Sequence, residues 1–199
     1  MASSDIFSRT KSASLSLAAL DDTRRNTLLL RVADTICEES GALLEANAKD
    51  LAAMDRSNPL YDRLQLTEER LKGIAGDMRQ VASLPSPLDR TLVCRTLPNG
   101  LKLRKVSVPF GVIGVIYEAR PNVTFDVFSL CFKSGNACLL KGGRDADNSN
   151  RAAVALIKRV MAEEGICEDA VNLMPATHDA ARELLEAVGD VDLVIPRGG

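Results

Sequence analysis

Arg120 and Asn122 follow closely on an apolar run, Val112 to Tyr117, and that placement is the strongest chemical signal in the sequence. A guanidinium pairs with carboxylate or phosphate through parallel hydrogen bonds, and an amide NH₂ stabilises charge developing on an oxygen. The pattern suggests an anionic substrate held by Arg120 and Asn122, with Asn122 as a candidate oxyanion donor. A structural reading competes. Pro121 fixes the backbone, and Asn122 or Thr124 can cap a following helix; taken alone, capping is the simpler account of Asn122, because Asn is strongly preferred there.

A second cluster is the loop Lys141-Gly-Gly-Arg-Asp-Ala-Asp-Asn-Ser149. In dinucleotide-binding sheets the loop after the second strand reads the adenosine ribose, and an acidic residue there selects the unphosphorylated cofactor. Here Lys141 and Arg144 flank Gly142 and Gly143 instead. Two cations around a flexible backbone suit a 2′-phosphate and point to NADP(H) rather than NAD. The competing reading is an ordinary basic turn. No G-x-G-x-x-G occurs: Gly111 and Gly114 are separated by two residues and do not follow the strand, so the standard fingerprint is excluded.

His178, the sole histidine, stands between Thr177 and Asp179 at a helix start and reads as an exposed loop residue rather than a base. The five cysteines (37, 94, 131, 138 and 167) are scattered, without a C-x-x-C pair, which argues against a disulfide framework and a zinc site. Cys131 and Cys138 lie in apolar runs and read as buried, inert thiols.

These groups must be carried by particular elements. Hydrophobic residues make up 46% of 199, enough for a substantial core in one domain or a domain with an accessory piece. A net charge of −2 with interspersed signs gives no footprint for nucleic acid or an acidic membrane. No apolar run reaches the roughly 20 residues that span a bilayer. The Ser-rich start lacks the apolar core of a secretory signal, and a cytoplasmic location is expected, with a transit peptide as the weaker alternative.

Leu28, Val32 and Ile36 form one helical stripe, which Gly41 is expected to interrupt before Leu43, Leu44, Ala48 and Leu51 resume it. Asn58-Pro59 breaks the pattern, and Thr67 can cap a third helix that ends before Pro85. Leu92–Thr96 and Leu101–Val106 flank Asn99-Gly100, a hairpin signal, with one face expected to be wet. From Val112 strands and helices alternate. Strands are expected at Val112–Tyr117, Ala137–Leu140, Val171–Met174 and Val191–Ile195, with helices near Thr124–Lys133, from Asn148 or Ser149, and around Ala181–Val188. Gly135, Gly165 and Gly189 follow the helices. The rhythm predicts an α/β fold with a parallel sheet whose ligands bind beyond the carboxyl ends of the strands. The sequence ends at a Gly pair after the last strand, where a helix should begin, and reads as cut off.

Taken together, these segments resemble gamma-glutamyl phosphate reductase, a branch of the aldehyde dehydrogenase superfamily. The matching pieces include Ala46-Asn47-Ala48-Lys49-Asp50-Leu51, Pro98-Asn99-Gly100-Leu101, Tyr117-Glu118-Ala119-Arg120-Pro121-Asn122-Val123-Thr124, Lys133-Ser134-Gly135-Asn136-Ala137, Lys141-Gly142-Gly143, Ser149-Asn150-Arg151 and Val194-Ile195-Pro196-Arg197-Gly198-Gly199. The resemblance implies an aldehyde-dehydrogenase-like fold, incomplete here: a Rossmann-type cofactor domain preceded by N-terminal helices and a β-hairpin arm. It implies NADPH-dependent reduction of L-glutamyl 5-phosphate to glutamate 5-semialdehyde in proline biosynthesis, through attack by a cysteine thiolate. That cysteine has no match here, because the family's nucleophile lies beyond the Ile-Pro-Arg-Gly-Gly turn.

By the same resemblance Lys141 meets the adenosine ribose, and Gly198 and Gly199 turn near the cofactor phosphates or nicotinamide. The expected cofactor set is Lys141, Gly142, Gly143, Arg144, Ser149, Gly198 and Gly199; the substrate set is Arg120 and Asn122; no metal is expected. Residues 1–90 are assigned to an N-terminal helical segment of the cofactor domain, 91–108 to a hairpin serving oligomerisation, and 109–199 to the cofactor-binding core. The complete enzyme is expected to be a homo-oligomer, and this chain alone to be inactive. Competing readings are a non-catalytic nucleotide-binding or structural fragment, and a reductase of another acyl substrate.

Overall fold

The computed structural model describes residues 3–197. Five helices come first: α1 (Ser3–Ala18), α2 (Asp22–Glu38), α3 (Ser40–Ala53), the single turn α4 (Tyr61–Leu64) and α5 (Glu68–Ser83). A hairpin follows, β1 (Thr91–Thr96) and β2 (Lys102–Val106). The remainder alternates β3 (Val112–Tyr117), α6 (Pro121–Lys133), β4 (Ala137–Lys141), α7 (Asp147–Glu163), β5 (Val171–Leu173), α8 (His178–Glu186) and β6 (Leu193–Arg197).

Strands β3 to β6 form one sheet in the order β5-β4-β3-β6, and every pair is parallel. The α/β expectation holds. Register sets the functional edge: Ile116 lies opposite Lys141, and Tyr117 opposite Arg197. The carboxyl ends of the three strands therefore finish on one rim. β6 runs two residues later than expected, because Asp192 is spent before the strand: its carboxylate accepts the Val112 N–H at 2.8 Å and the Lys11 ammonium.

The core is one continuous cluster shared by the N-terminal helices and the sheet. α2 lays Leu28, Leu29, Val32, Ala33 and Ile36 against α5, whose buried face is Leu71, Ile74, Ala75 and Met78. The apolar helix α6 is covered on several sides, and Phe128 and Phe132 stack with ring centroids 5.4 Å apart. Thr67 accepts the Arg70 N–H at 3.1 Å, as the sequence suggested. Lys133, at the end of α6, is buried and donates to Asp22 and Asn26 of α2.

Several expectations are corrected. α1 was not foreseen: its buried line is Phe7, Thr10, Ala13, Ser14 and Leu17, helically spaced but interrupted by two hydroxyl residues, so no continuous apolar stripe is read there. These hydroxyls back-bond to Ile6 and Lys11 carbonyls, and Thr10 also accepts from Asn172 on β5. The break between α2 and α3 falls at Glu39, and Gly41 lies inside α3. Both hairpin strands are exposed along their whole length, so two faces are wet rather than one. The hairpin turn itself is as expected, with Gly100 at φ +84°.

Candidate functional site

Two of the clefts at the carboxyl rim of the sheet take most of the candidate residues. The first, about 480 Å³, takes Lys141 from the end of β4, Gly143 and Arg144 from the loop, Glu118 from beyond β3, His178 from α8 and Arg197 from β6. Lys141 is only 8% exposed. Among the described residues neither Lys141 nor Arg144 has an ion-pair partner within 4 Å, although fourteen such pairs occur elsewhere. A nearly buried cation without a counterion favours an anionic ligand, since desolvation leaves its charge uncompensated. His178 is exposed at the first turn of α8, where Thr177 accepts the Ala180 N–H; it faces the same cleft.

The second cleft, about 430 Å³, takes Arg120 and Asn122 with Asp62, Arg63, Arg70 and Asp77 of the helical region. A residue before proline avoids the helical region, so Arg120 stays extended (φ −139°, ψ 94°) and α6 starts at Pro121. Asn122 does not cap that helix, and neither does Thr124. Asn122 donates to Asp126 at 3.2 Å, one turn on. Thr124 is buried, donating to Asn150 at 2.8 Å and sharing a hydrogen bond with the Tyr117 hydroxyl. The capping reading of Asn122 is thereby overturned, because both side chains are committed across the helix rather than to its free N–H groups. Burial, with the charge of Asp77 added, raises the Asp126 carboxyl above its ordinary range; the Asn122 hydrogen bond and the Arg197 charge oppose that shift.

The loop between β4 and α7 sorts the other candidates. A Cβ on Gly142 would lie 2.3 Å from Asn150 Nδ2, and one on Gly143 would press 3.3 Å from the Glu118 carbonyl carbon. Gly142 is buried against Asn150, so it shapes the loop; Gly143 reaches the first cleft. Ser149 is 2% exposed and spends both its N–H and its hydroxyl on Asp50, at 2.8 and 2.6 Å, so it does not face a ligand. Gly198 and Gly199 lie outside the described residues.

Sequence reasoning missed three groups at this rim. Arg197 ends an exposed strand and faces the first cleft; Arg63 and Asp77 come from the helical region and face the second. None was read as a site group: Arg197 stands only within a matched segment at the end of β6, and Arg63 and Asp77 reach the rim through the packing of α4 and α5. No cysteine lines either cleft. Cys131 and Cys138 are buried as expected, and hydrogen bonding with Cys131, together with burial, pushes the Cys138 thiol well up. Among the described residues no cluster of three or more His, Cys, Asp or Glu side chains could hold a metal ion, and no helix is long and apolar enough to cross a membrane.

No family model matches the chain. The gamma-glutamyl phosphate reductase of Bacteroides thetaiotaomicron is 59% identical over 192 residues, covering 96% of this chain and 46% of that protein. The reductase of Chlorobium luteolum is 59% identical over 188 residues, covering 94% and 45%. In fold, the crystal structure of the Thermotoga maritima reductase aligns with a TM-score of 0.90 at 33% identity, over 98% of this chain and 48% of that one. In sequence and fold the chain is similar to the gamma-glutamyl phosphate reductases. It spans about half the length of these relatives and matches their amino-terminal half. The reductase fold is in turn aldehyde-dehydrogenase-like: a Listeria monocytogenes protein described as a probable aldehyde dehydrogenase aligns with a TM-score of 0.73 at 14% identity, covering 96% of this chain and 40% of that one.

Proposed function

We propose that this chain supplies the cofactor-binding unit and one wall of the substrate cleft of an NADPH-dependent reductase. The reaction is the conversion of L-glutamyl 5-phosphate to L-glutamate 5-semialdehyde in proline biosynthesis. The observation that carries the reading is the pair Lys141 and Arg144, cations without ion-pair partners among the described residues, at the carboxyl rim of a parallel sheet. Their chemistry fits a phosphorylated nucleotide: Lys141 offers a point charge and Arg144 a planar fork of donors for a 2′-phosphate. Lys141, Gly143, Arg144 and Arg197 would hold the cofactor, with His178 at the margin of the cleft. When bound, the nicotinamide supplies hydride.

In the adjoining cleft, Arg120 would neutralise the acyl phosphate and Asn122 would donate to the carbonyl oxygen as charge builds on it. Asp126 accepts from Asn122 and orients its amide. The nucleophilic cysteine would be supplied by a segment outside this chain. On this reading residues 1–90 and 109–199 build one cofactor domain and residues 91–108 form an arm through which a complete, cytoplasmic enzyme pairs with further copies. The chain alone would not reduce an acyl phosphate.

The test is titration of the chain with NADPH, followed by nicotinamide fluorescence. Saturable binding that weakens ~10–100-fold in Lys141→Ala is expected, from about 1.5–3 kcal/mol for a charge-assisted contact. Arg144→Ala, on an exposed turn, gives an independent arm. Absence of saturable binding, or equal affinity for NADH, would refute the assignment.

A further inference from the structure

The cleft holding Arg120 and Asn122 carries both signs of charge, and its charges are not all spent internally. Arg70 and Asp62 cancel: the guanidinium pairs with Asp62 at 2.9 Å and also donates to the Gln65 carbonyl at 2.6 Å. Arg63 and Arg120 have no ion-pair partner among the described residues, and neither does Asp77. Asp77, on α5, is close enough to Asp126 for its charge to act on that carboxyl, and Asn122 is hydrogen-bonded to Asp126. The cleft thus has an anion-seeking part at Arg63 and Arg120 and a cation-seeking part at Asp77. A ligand bearing only negative groups would satisfy the guanidiniums and be repelled by Asp77. An α-amino acid with a second acidic group satisfies all three.

We propose that Asp77 is a specificity-determining residue that receives the α-ammonium of an amino-acid substrate. Arg63 takes the α-carboxylate of that substrate, and Arg120 with Asn122 takes its acidic side-chain end. The assignment rests on the reading of Arg120 and Asn122 as the substrate site. It adds what that reading lacked: a means of telling an amino acid from a plain dicarboxylate. Rejection would follow from Asp77 being left without a partner when the ammonium is missing.

The experiment compares L-glutamate with glutarate, which has the same two carboxylates and no ammonium, by ¹H–¹⁵N chemical-shift titration of the full chain at low salt. L-Glutamate is expected to bind at least tenfold more tightly, with shifts centred on Gly73, Asp77 and Asn122. Asp77→Asn is expected to erase the preference, and Arg63→Gln to weaken both ligands together. Asp77 is exposed, so its substitution should leave the thermal transition unchanged, which circular dichroism checks. Equal binding of the two ligands to the unmodified chain, or a preference surviving Asp77→Asn, overturns the role of Asp77 and leaves the substrate site standing. Failure of both ligands to move the cleft resonances overturns both assignments.

Discussion

Asp50 is where the stability of the rim can be tested most sharply. It lies on α3, 4% exposed, and its carboxylate receives four hydrogen bonds from the start of α7. Oδ1 accepts from the Asn148 backbone N–H at 3.1 Å and from its side-chain amide at 2.8 Å; Oδ2 accepts from Ser149 N–H at 2.8 Å and its hydroxyl at 2.6 Å. A carboxylate 98 residues away in sequence thus caps a 17-residue helix and sits favourably against the positive end of its dipole. Asp50→Ala removes the cap, costing about 1 kcal/mol, and leaves the buried Ser149 donors unpaired, at roughly 1–3 kcal/mol more. A loss near 3 kcal/mol should lower the melting temperature by about 6–12 °C in a chain of this size. Asp50→Asn, which keeps one acceptor oxygen, should lose about half as much. Urea unfolding followed by circular dichroism measures both. A change below about 0.5 kcal/mol in Asp50→Ala would refute the capping argument, because it would mean that water or a neighbour replaces all four acceptor contacts.

Two further outcomes follow from the start of β3. Gly111 has φ +122°, and a Cβ there would lie 2.2 Å from Asp192 Oδ2, so Gly111→Ala should destabilise by about 1–3 kcal/mol through strain and loss of the Asp192 contacts, read as a lower urea midpoint. For Asp192 itself, burial raises the carboxyl pKa, but hydrogen bonds from Lys11 and the Val112 N–H and the Lys11 charge outweigh it, leaving the group below its ordinary value. A depressed carboxylate stabilises the fold above the unfolded pKa of about 3.9 and ceases to do so as pH falls through the folded value. The stability gap between the unmodified chain and Asp192→Asn should therefore be full above about pH 5 and close toward pH 2. A gap that stays constant across that range contradicts the linkage.

The sheet was legible because parallel strands buried on both faces leave continuous apolar runs, as at Val112–Tyr117, and because Gly135, Gly165 and Gly189 adopt the positive φ that follows a helix. What stayed hidden was polar burial. Thr10 and Ser14 occupy the inner face of α1, and Asn47 is fully enclosed, donating to the Leu64 carbonyl and Ser149 while accepting from Leu66 N–H. Such positions cannot be told from surface residues by hydropathy, since their partners are distant in sequence. The same cause misled the reading of Ser149 as a ligand-facing group: a hydroxyl after a basic, glycine-bearing loop invites that role, and only Asp50 reveals its real partner. Arg120 and Lys141 were found because strand ends declare themselves. Arg63, Asp77 and Arg197 were not read as site groups: two come from helices, and Arg197, though inside a matched segment, ends an exposed edge strand.

Gly143 lets two stretches of the rim approach main chain to main chain. A Cβ there would press within 3.3–3.4 Å of the Glu118-Ala119 backbone, one residue before Arg120. Any side chain at residue 143 would therefore push the turn that follows Lys141 away from the segment that carries Arg120, so a missing methyl group keeps the ends of β4 and β3 in close register at the rim.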